Sequence, residues 1–250
     1  MRNFKIKVPW GRIHAKNWSQ HYQETGAKRV LLLHGNSDHV HCWDWTADLL
    51  PKNWSIVGYD FPGHGDSNFP DNYYAPTHDL FGYSIRYVAD ALGWDSFHCV
   101  AHSMGTFIAS PFACLFPERV DSLTLIDFKG VQTIKPIVTP MYSLMSWENR
   151  ADRWKADSSN PGRTPSGKTW DEYKHAIMNT PSGWFKDPRI AEKWMQGQMT
   201  ELEDGNFKSK VHPFMRQWGT SSWGLTFDQD RFSTEIENSC EFRKNGEYER

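Results

Sequence analysis

Ser103 stands in the run Val100-Ala101-His102-Ser103-Met104-Gly105. It follows the apolar stretch Phe97-His98-Cys99-Val100 and precedes a helix-compatible run from Thr106 to Phe116. A strand, a sharp turn and a helix with serine at the apex form a nucleophile elbow, in which the turn lifts the hydroxyl clear of a sheet. The chemistry that suits this arrangement is acyl transfer through a serine ester. The usual pattern is Gly-x-Ser-x-Gly, and Ala101 takes the first glycine position, where the smallest side chain intrudes least. A Ser-x-Gly turn before a helix also occurs as plain architecture, so the motif alone does not decide between catalysis and scaffold.

Acyl transfer needs donors where the tetrahedral oxyanion forms. The backbone N–H of Met104, just after the serine, is one candidate. The N–H of Asn36, just after His34-Gly35, is the other. His34 is expected to shape its loop rather than to catalyse. His64 in Gly63-His64-Gly65 and His102 before the serine are expected to be structural in the same way.

The elements that must position these groups are short apolar runs bounded by turn residues. Val30 to Leu33 ends in His34-Gly35-Asn36, and Ser55 to Tyr59 ends in Asp60-Phe61-Pro62-Gly63-His64-Gly65-Asp66-Ser67. Such runs fit buried parallel strands. The intervals leave room for right-handed helical crossovers. Three strands ending in glycine-containing loops bring those loops to one carboxyl edge, where open α/β sheets bind ligands.

The set Leu33-His34-Gly35, Asp60-x-Pro62-Gly63-His64-Gly65-x-Ser67, Ala101-His102-Ser103-Met104-Gly105 and Phe116-Pro117-Glu118-Arg119-Val120 resembles the α/β-hydrolase fold family. The opening from Val8 to Trp18 and the stretch Trp223 to Arg231 look like the serine hydrolase-like proteins within it. The resemblance covers roughly residues 4–235. It implies a mostly parallel α/β sheet with a helical cap and a serine hydrolase acting on carboxylic esters of esterase or lipase type. It implies a small or lipid-like ester as substrate and no cofactor. In such proteins the order is serine, then acid, then histidine, the last two following late strands. Here only His175 and His212 follow Ser103, and the tail from Glu235 to Arg250 is polar and charged. The resemblance therefore implies that the last strands of the fold are missing. Asp127, at the end of the strand after the elbow helix, is the acid in some members of the fold. It is weighed here against a plain loop-capping role. His212 is a substitute base only if the chain folds it toward Ser103. With no late histidine, little turnover is expected. Three readings stay open: an active hydrolase, a non-catalytic binding or regulatory fold that keeps the elbow as architecture, and a short isoform or partial product of an active enzyme. In the truncated fold, the strand Ser122 to Asp127 becomes a sheet edge open to self-association.

Composition fits one soluble domain of 250 residues. A net charge of −2 offers no electrostatic case for nucleic acid. No apolar run approaches the roughly 20 residues of a transmembrane helix. The start lacks a signal-peptide core. Cys42, Cys99, Cys114 and Cys240 are widely spaced and read as reduced thiols of a cytoplasmic protein. No His/Cys/carboxylate spacing suits zinc, and no glycine loop with a following lysine suits a phosphate.

Along the chain, Lys5 to Val8 and Arg12 to Trp18 read as a hairpin. Trp43 to Leu50 and His78 to Leu92 read as helices, the second capped by Thr77. Pro111 is expected to kink the helix after Ser103. Character changes after Gly130, giving a core over 1–130, a helical cap over 131–235 and a polar tail over 236–250. The cap region holds seven of the thirteen tryptophans and no strand-like runs. Helices are expected over Tyr142 to Ala156, Thr169 to Met178 and Ile190 to Leu202, with a Pro/Gly/Ser loop from Ser158 to Gly167. The tryptophans are expected mainly to pack cap helices, and secondarily to line an acyl pocket.

Overall fold

The computed structural model describes residues 1–19, 26–70, 78–127, 168–179, 185–212 and 215. The capping threonine at 77, the expected helix from 142 to 156, the loop from 158 to 167, Cys240 and the tail from 236 to 250 lie outside them.

Strand β1 (Arg2–Val8) turns at Pro9-Trp10 into β2 (Gly11–Asn17), and the two pair antiparallel from Arg2↔Asn17 to Val8↔Gly11. Gly11 takes φ +127°, and a Cβ there would fall 2.7 Å from Asn68 Oδ1, so the turn needs glycine on both counts. Next come β3 (Arg29–Leu33), a 3-10 turn (Val40–Trp43), α1 (Asp44–Leu49) and β4 (Ser55–Tyr59). The two strands are buried along nearly their whole length, as their unbroken apolar composition dictates. Helix α2 (His78–Ala91) is followed by β5 (Phe97–His102), α3 (Met104–Leu115), a second 3-10 turn (Pro117–Arg119) and β6 (Val120–Ile126).

These six strands form one sheet in the order β1-β2-β4-β3-β5-β6. β4, β3, β5 and β6 run parallel, and the opening hairpin is antiparallel. The arrangement is the mostly parallel α/β-hydrolase sheet expected from the motifs. The elbow strand therefore lies beside the central strand β3, and β6 is the edge among the described residues. One core cluster, containing Leu31, Leu33, Tyr59, Phe81, Ile85, Phe97 and Phe112, fills one side of the sheet. A second, around Trp18, Val30, Leu32, Val40 and Ile56, fills the other. Alternating neighbours on β3 thus face opposite clusters, as the two-residue period of a strand requires.

Beyond β6 the expectations need correction. Helix α4 (Trp170–Met178) forms where expected, with a capping box between Thr169 and Glu172. Helix α5 (Pro188–Gln198) starts earlier and stops four residues before the expected Leu202. After it comes a small antiparallel pair, β7 (Met199–Glu201) and β8 (Phe207–Ser209), in a region expected to hold no strands. Strands of three residues are too short to show alternation. The turn between them was nonetheless written in Asp204-Gly205: Gly205 takes φ +76°, and its N–H donates to the Leu202 carbonyl (3.0 Å).

Candidate active site

The turn at Ser103 is held by backbone from both neighbours. Its N–H donates to the Ile126 carbonyl at the end of β6 (3.0 Å). Its own carbonyl accepts from the Thr106 N–H (2.9 Å) and hydroxyl (2.6 Å). Between these anchors Ser103 takes φ +48°, ψ −114°, outside the regions a residue with a Cβ prefers. Ala101, in place of the usual glycine, is fully buried, so its methyl is accommodated. Gly105 is required by packing instead. A Cβ there would lie 2.9 Å from the carbonyl oxygens of both Leu33 and His34, so the first turn of α3 sits directly on the end of β3.

That close approach brings the loop after β3 against the elbow. A Cβ on Gly35 would stand 3.1 Å from His102 Nδ1 and 3.3 Å from Ser103 Cβ. Asn36 is the next residue. Its N–H is uncommitted among the described residues, as is that of Met104, the first residue of α3. Asn36 Oδ1 is buried with no donor among the described residues. Ser37 takes the left-handed conformation, φ +57°, in the same loop.

His34 joins this loop to the next. Its Nδ1–H donates to the Gly35 carbonyl (2.7 Å), and its Nε2 accepts from the Phe61 N–H (2.9 Å). Burial depresses its pKa, partly offset by Asp60 and Asp38. Both ring nitrogens are occupied in the neutral ring, which is a loop-shaping role. His64 is fully buried; burial and then the neighbouring His34 push its pKa down to about 3. Its Nδ1 faces the Pro62 carbonyl (3.2 Å).

Sequence reasoning passed over Asp60. Its carboxylate accepts from Val40 N–H (2.6 Å), Asp66 N–H (2.9 Å) and His14 Nδ1 (2.7 Å), tying β2, the 3-10 turn and the loop after β4 to one group. Burial alone would raise its pKa, but these bonds and the His14 and His34 rings hold it well below the usual carboxylate range. The Asp60-x-Pro-Gly-His-Gly motif was its only sequence signal. His14, Asp60 and Asp66 have the proximity of metal ligands. Their donor set does not fit one, because His14 and Asp60 bond each other and the Lys210 ammonium sits 2.9 Å from Asp66. A second buried network was equally silent in sequence. Asp44 accepts from Lys16 Nζ (2.6 Å) and Trp18 Nε1 (2.8 Å). Burial pushes the Asp44 carboxyl up, but His41, Lys16 and Trp18 together hold it well below its usual range.

The acid and base candidates part company. Asp127 is exposed, takes φ +58°, and directly follows Ile126, the residue bonded to the Ser103 N–H. It therefore stands on the strand end next to the elbow. His212 goes elsewhere. Its N–H donates to the Gly63 carbonyl (2.8 Å), and its ring stacks on Phe69 with centroids 4.8 Å apart. No described side chain hydrogen-bonds the Ser103 hydroxyl.

A family model described as the alpha/beta hydrolase fold matches residues 28–200. A serine hydrolase-like protein of Danio rerio is 36% identical over 144 residues, which cover 57% of this chain and 42% of that protein. One of Homo sapiens is 40% identical over 126 residues, 49% of this chain and 59% of that protein. The matched segment thus spans about half the length of these curated relatives. Among solved structures, a hypothetical protein of Pseudomonas aeruginosa PAO1 superposes with a TM-score of 0.76 at 23% identity, covering 94% of this chain and 78% of that one. A thioesterase domain from the curacin biosynthetic pathway superposes with a TM-score of 0.69 at 15% identity, covering 95% and 78%. Both likenesses are of fold.

Proposed function

Because the chain belongs to the α/β-hydrolase fold family, we propose that it carries the nucleophile and oxyanion half of a serine hydrolase acting on carboxylic esters. The observation that carries this reading is the strained turn at Ser103, set against a loop with a free backbone donor on each side. Ser103 Oγ attacks the ester carbonyl carbon, and the carbonyl oxygen becomes an oxyanion held by the N–H groups of Asn36 and Met104. The C–O bond to the leaving group breaks, the serine proton passes to the departing oxygen, and water then hydrolyses the acyl-serine. Asp127, beside the elbow, is placed as the acid for a base that no described residue supplies. His212, stacked on Phe69, is the weakest member of the set. The names of the relatives support a serine hydrolase. The thioesterase name among the structural neighbours supports an acyl substrate, and we assign a small or lipid-like ester. Residues 131–235 form the cap, α4 and α5 within it. The reduced thiols of Cys42 and Cys99 support a cytoplasmic location. The β6 edge supports self-association.

One observation favours a second reading, a non-catalytic binding fold: no described histidine reaches the serine hydroxyl. A fluorophosphonate probe separates the two. We expect slow labelling, lost in Ser103→Ala, with p-nitrophenyl ester turnover far below that of an ordinary esterase, since a serine without its base retains only oxyanion stabilisation and binding. No labelling of the wild-type chain favours the binding fold. Fast labelling lost in His212→Ala would identify His212 as the base after all.

A further inference from the structure

The loop that carries the Asn36 donor is fastened on its outer side to α5. Asp38 Oδ1 accepts from the indole Nε1–H of Trp194 (2.9 Å) and from the His39 N–H (2.9 Å). His39, fully buried, donates its Nε2–H to the Trp194 carbonyl (2.9 Å), while its Nδ1 accepts from the His41 N–H (3.3 Å). One residue of α5 is therefore gripped at both its side chain and its backbone by two consecutive residues of the loop. Gly197, one turn further along α5, lies against the His39 ring. A Cβ there would come within 2.2 Å of His39 Cε1, so the approach is possible only without a side chain. Phe185 also packs against Trp194, with ring centroids 5.2 Å apart.

The loop needs such a hold. Ser37 is left-handed at φ +57°, a conformation most residues with a Cβ leave when nothing holds them. Inside the loop, the turn is closed by one long backbone bond, Asp38 N–H to Gly35 carbonyl at 3.4 Å. His34 secures the start of the loop, and the contacts with α5 secure its end. Asn36 and Ser37 lie between these two fastenings.

We propose that Trp194 is a positioning residue, one that sets the conformation of residues 35–38 and thereby the aim of the Asn36 N–H at the site of Ser103. The inference rests on the hydrolase reading for its catalytic meaning, but not for its mechanical content. Trp194 touches no reacting atom. It acts through Asp38 and His39, so a shift of α5 moves the oxyanion donor.

The test uses the full chain with Trp194→Phe, Asp38→Ala and Asp38→Asn. Phenylalanine keeps a ring and loses the indole donor. Asparagine keeps the accepting Oδ1, and alanine removes it. Hydrogen exchange is followed in peptides spanning residues 34–42, together with the rate of fluorophosphonate labelling at Ser103. Trp194→Phe and Asp38→Ala are expected to speed exchange in that segment about tenfold and to slow labelling about tenfold. Asp38→Asn is expected to restore both, with exchange in β3 and β5 unchanged throughout. Unchanged exchange over 34–42 in both disruptive variants overturns the proposal, as does faster exchange spread over the whole sheet, which marks general destabilisation. Faster exchange confined to the loop in the disruptive variants, with a wild-type chain that takes no probe at all, overturns the hydrolase reading and leaves the fastening in place.

Discussion

Ser103 keeps its unusual dihedrals because three hydrogen bonds leave the turn no other course. The conformation is one that glycine takes without penalty, whereas any Cβ costs on the order of 1–3 kcal/mol. Removing the hydroxyl and removing the Cβ should therefore separate. Ser103→Ala is expected to leave stability within about 0.5 kcal/mol of wild type, and Ser103→Gly to raise it by about 1 kcal/mol above Ser103→Ala, read from urea midpoints. Equal stabilities in the two variants would show that the turn stores no strain. At this scale the sequence was informative where chemistry is local. The strand, sharp turn and helix around Ser103 and the loop-shaping bonds of His34 follow from residues adjacent in the chain. Asp60 and Asp44 did not, because their partners lie far away in sequence: His14 is 46 residues from Asp60, and Lys16 is 28 from Asp44. Nothing in a one-dimensional pattern pairs them.

Among the elements, the contact between α3 and β3 decides where the elbow stands. Gly105 costs α3 roughly 1 kcal/mol of helix propensity relative to alanine. An alanine would recover that and drive its Cβ to 2.9 Å from two fixed carbonyl oxygens. Overpacking against backbone costs about 1–3 kcal/mol, so the steric effect wins. Gly105→Ala is expected to lose roughly 1–2 kcal/mol net by chemical denaturation and to slow probe labelling of Ser103, because the helix must lift from the strand. A stabilised variant would mean that the two elements have slack. The strands themselves were readable as apolar runs ending in glycine loops. The end of α5 was not: Met199 continues its apolar pattern but is claimed by pairing with Ser209. Tertiary pairing overrode a weak helical preference, as it does for short segments. The Asp-Gly turn was the one local sign of it.

Taken as a whole, the described residues enclose His34, His39 and His64 in settings that favour their neutral form. Burial lowers the pKa of His34, His39 and His64, the last to about 3. Below about pH 6.5 the unfolded chain takes up protons on these groups more readily than the folded chain does. Stability is therefore complete above about pH 7 and falls as pH drops, by up to about 1.4 kcal/mol per pH unit for each histidine. Asp44 and Asp60 have the same sign but act at lower pH, since their depressed values stabilise the fold above the carboxylate range and cease to do so only beneath it. Between about pH 7 and 5.5 the buried histidines steepen the slope, while Asp44 and Asp60 stay ionised. Urea midpoints measured across that interval are expected to fall steadily, and His64→Gln to flatten the slope by about a third. A level profile would mean that these rings protonate in place. The β6 edge belongs to the same scale. Thr124, exposed in the middle of that strand, offers a position where a charge meets only solvent or another molecule. If copies pair edge to edge, sedimentation velocity is expected to show a concentration-dependent dimer that Thr124→Lys dissociates, and a monomer at all concentrations removes that part of the proposal.

The sheet order carries a further consequence, for the timing of synthesis. β3 ends at Leu33, yet its two neighbours are β4, ending at Tyr59, and β5, ending at His102. As the chain leaves the ribosome, this apolar strand is exposed with neither edge paired. One edge is covered after about 26 further residues, and the other waits for about 43 more. At roughly 5–20 residues per second that is several seconds of exposure. The hairpin β1–β2 can form meanwhile, but it docks onto β4 and leaves β3 untouched. The stretch between Leu33 and His102 is thus the interval in which a chaperone has most to protect, and slowing translation there is the perturbation to which the yield of native protein should be most sensitive.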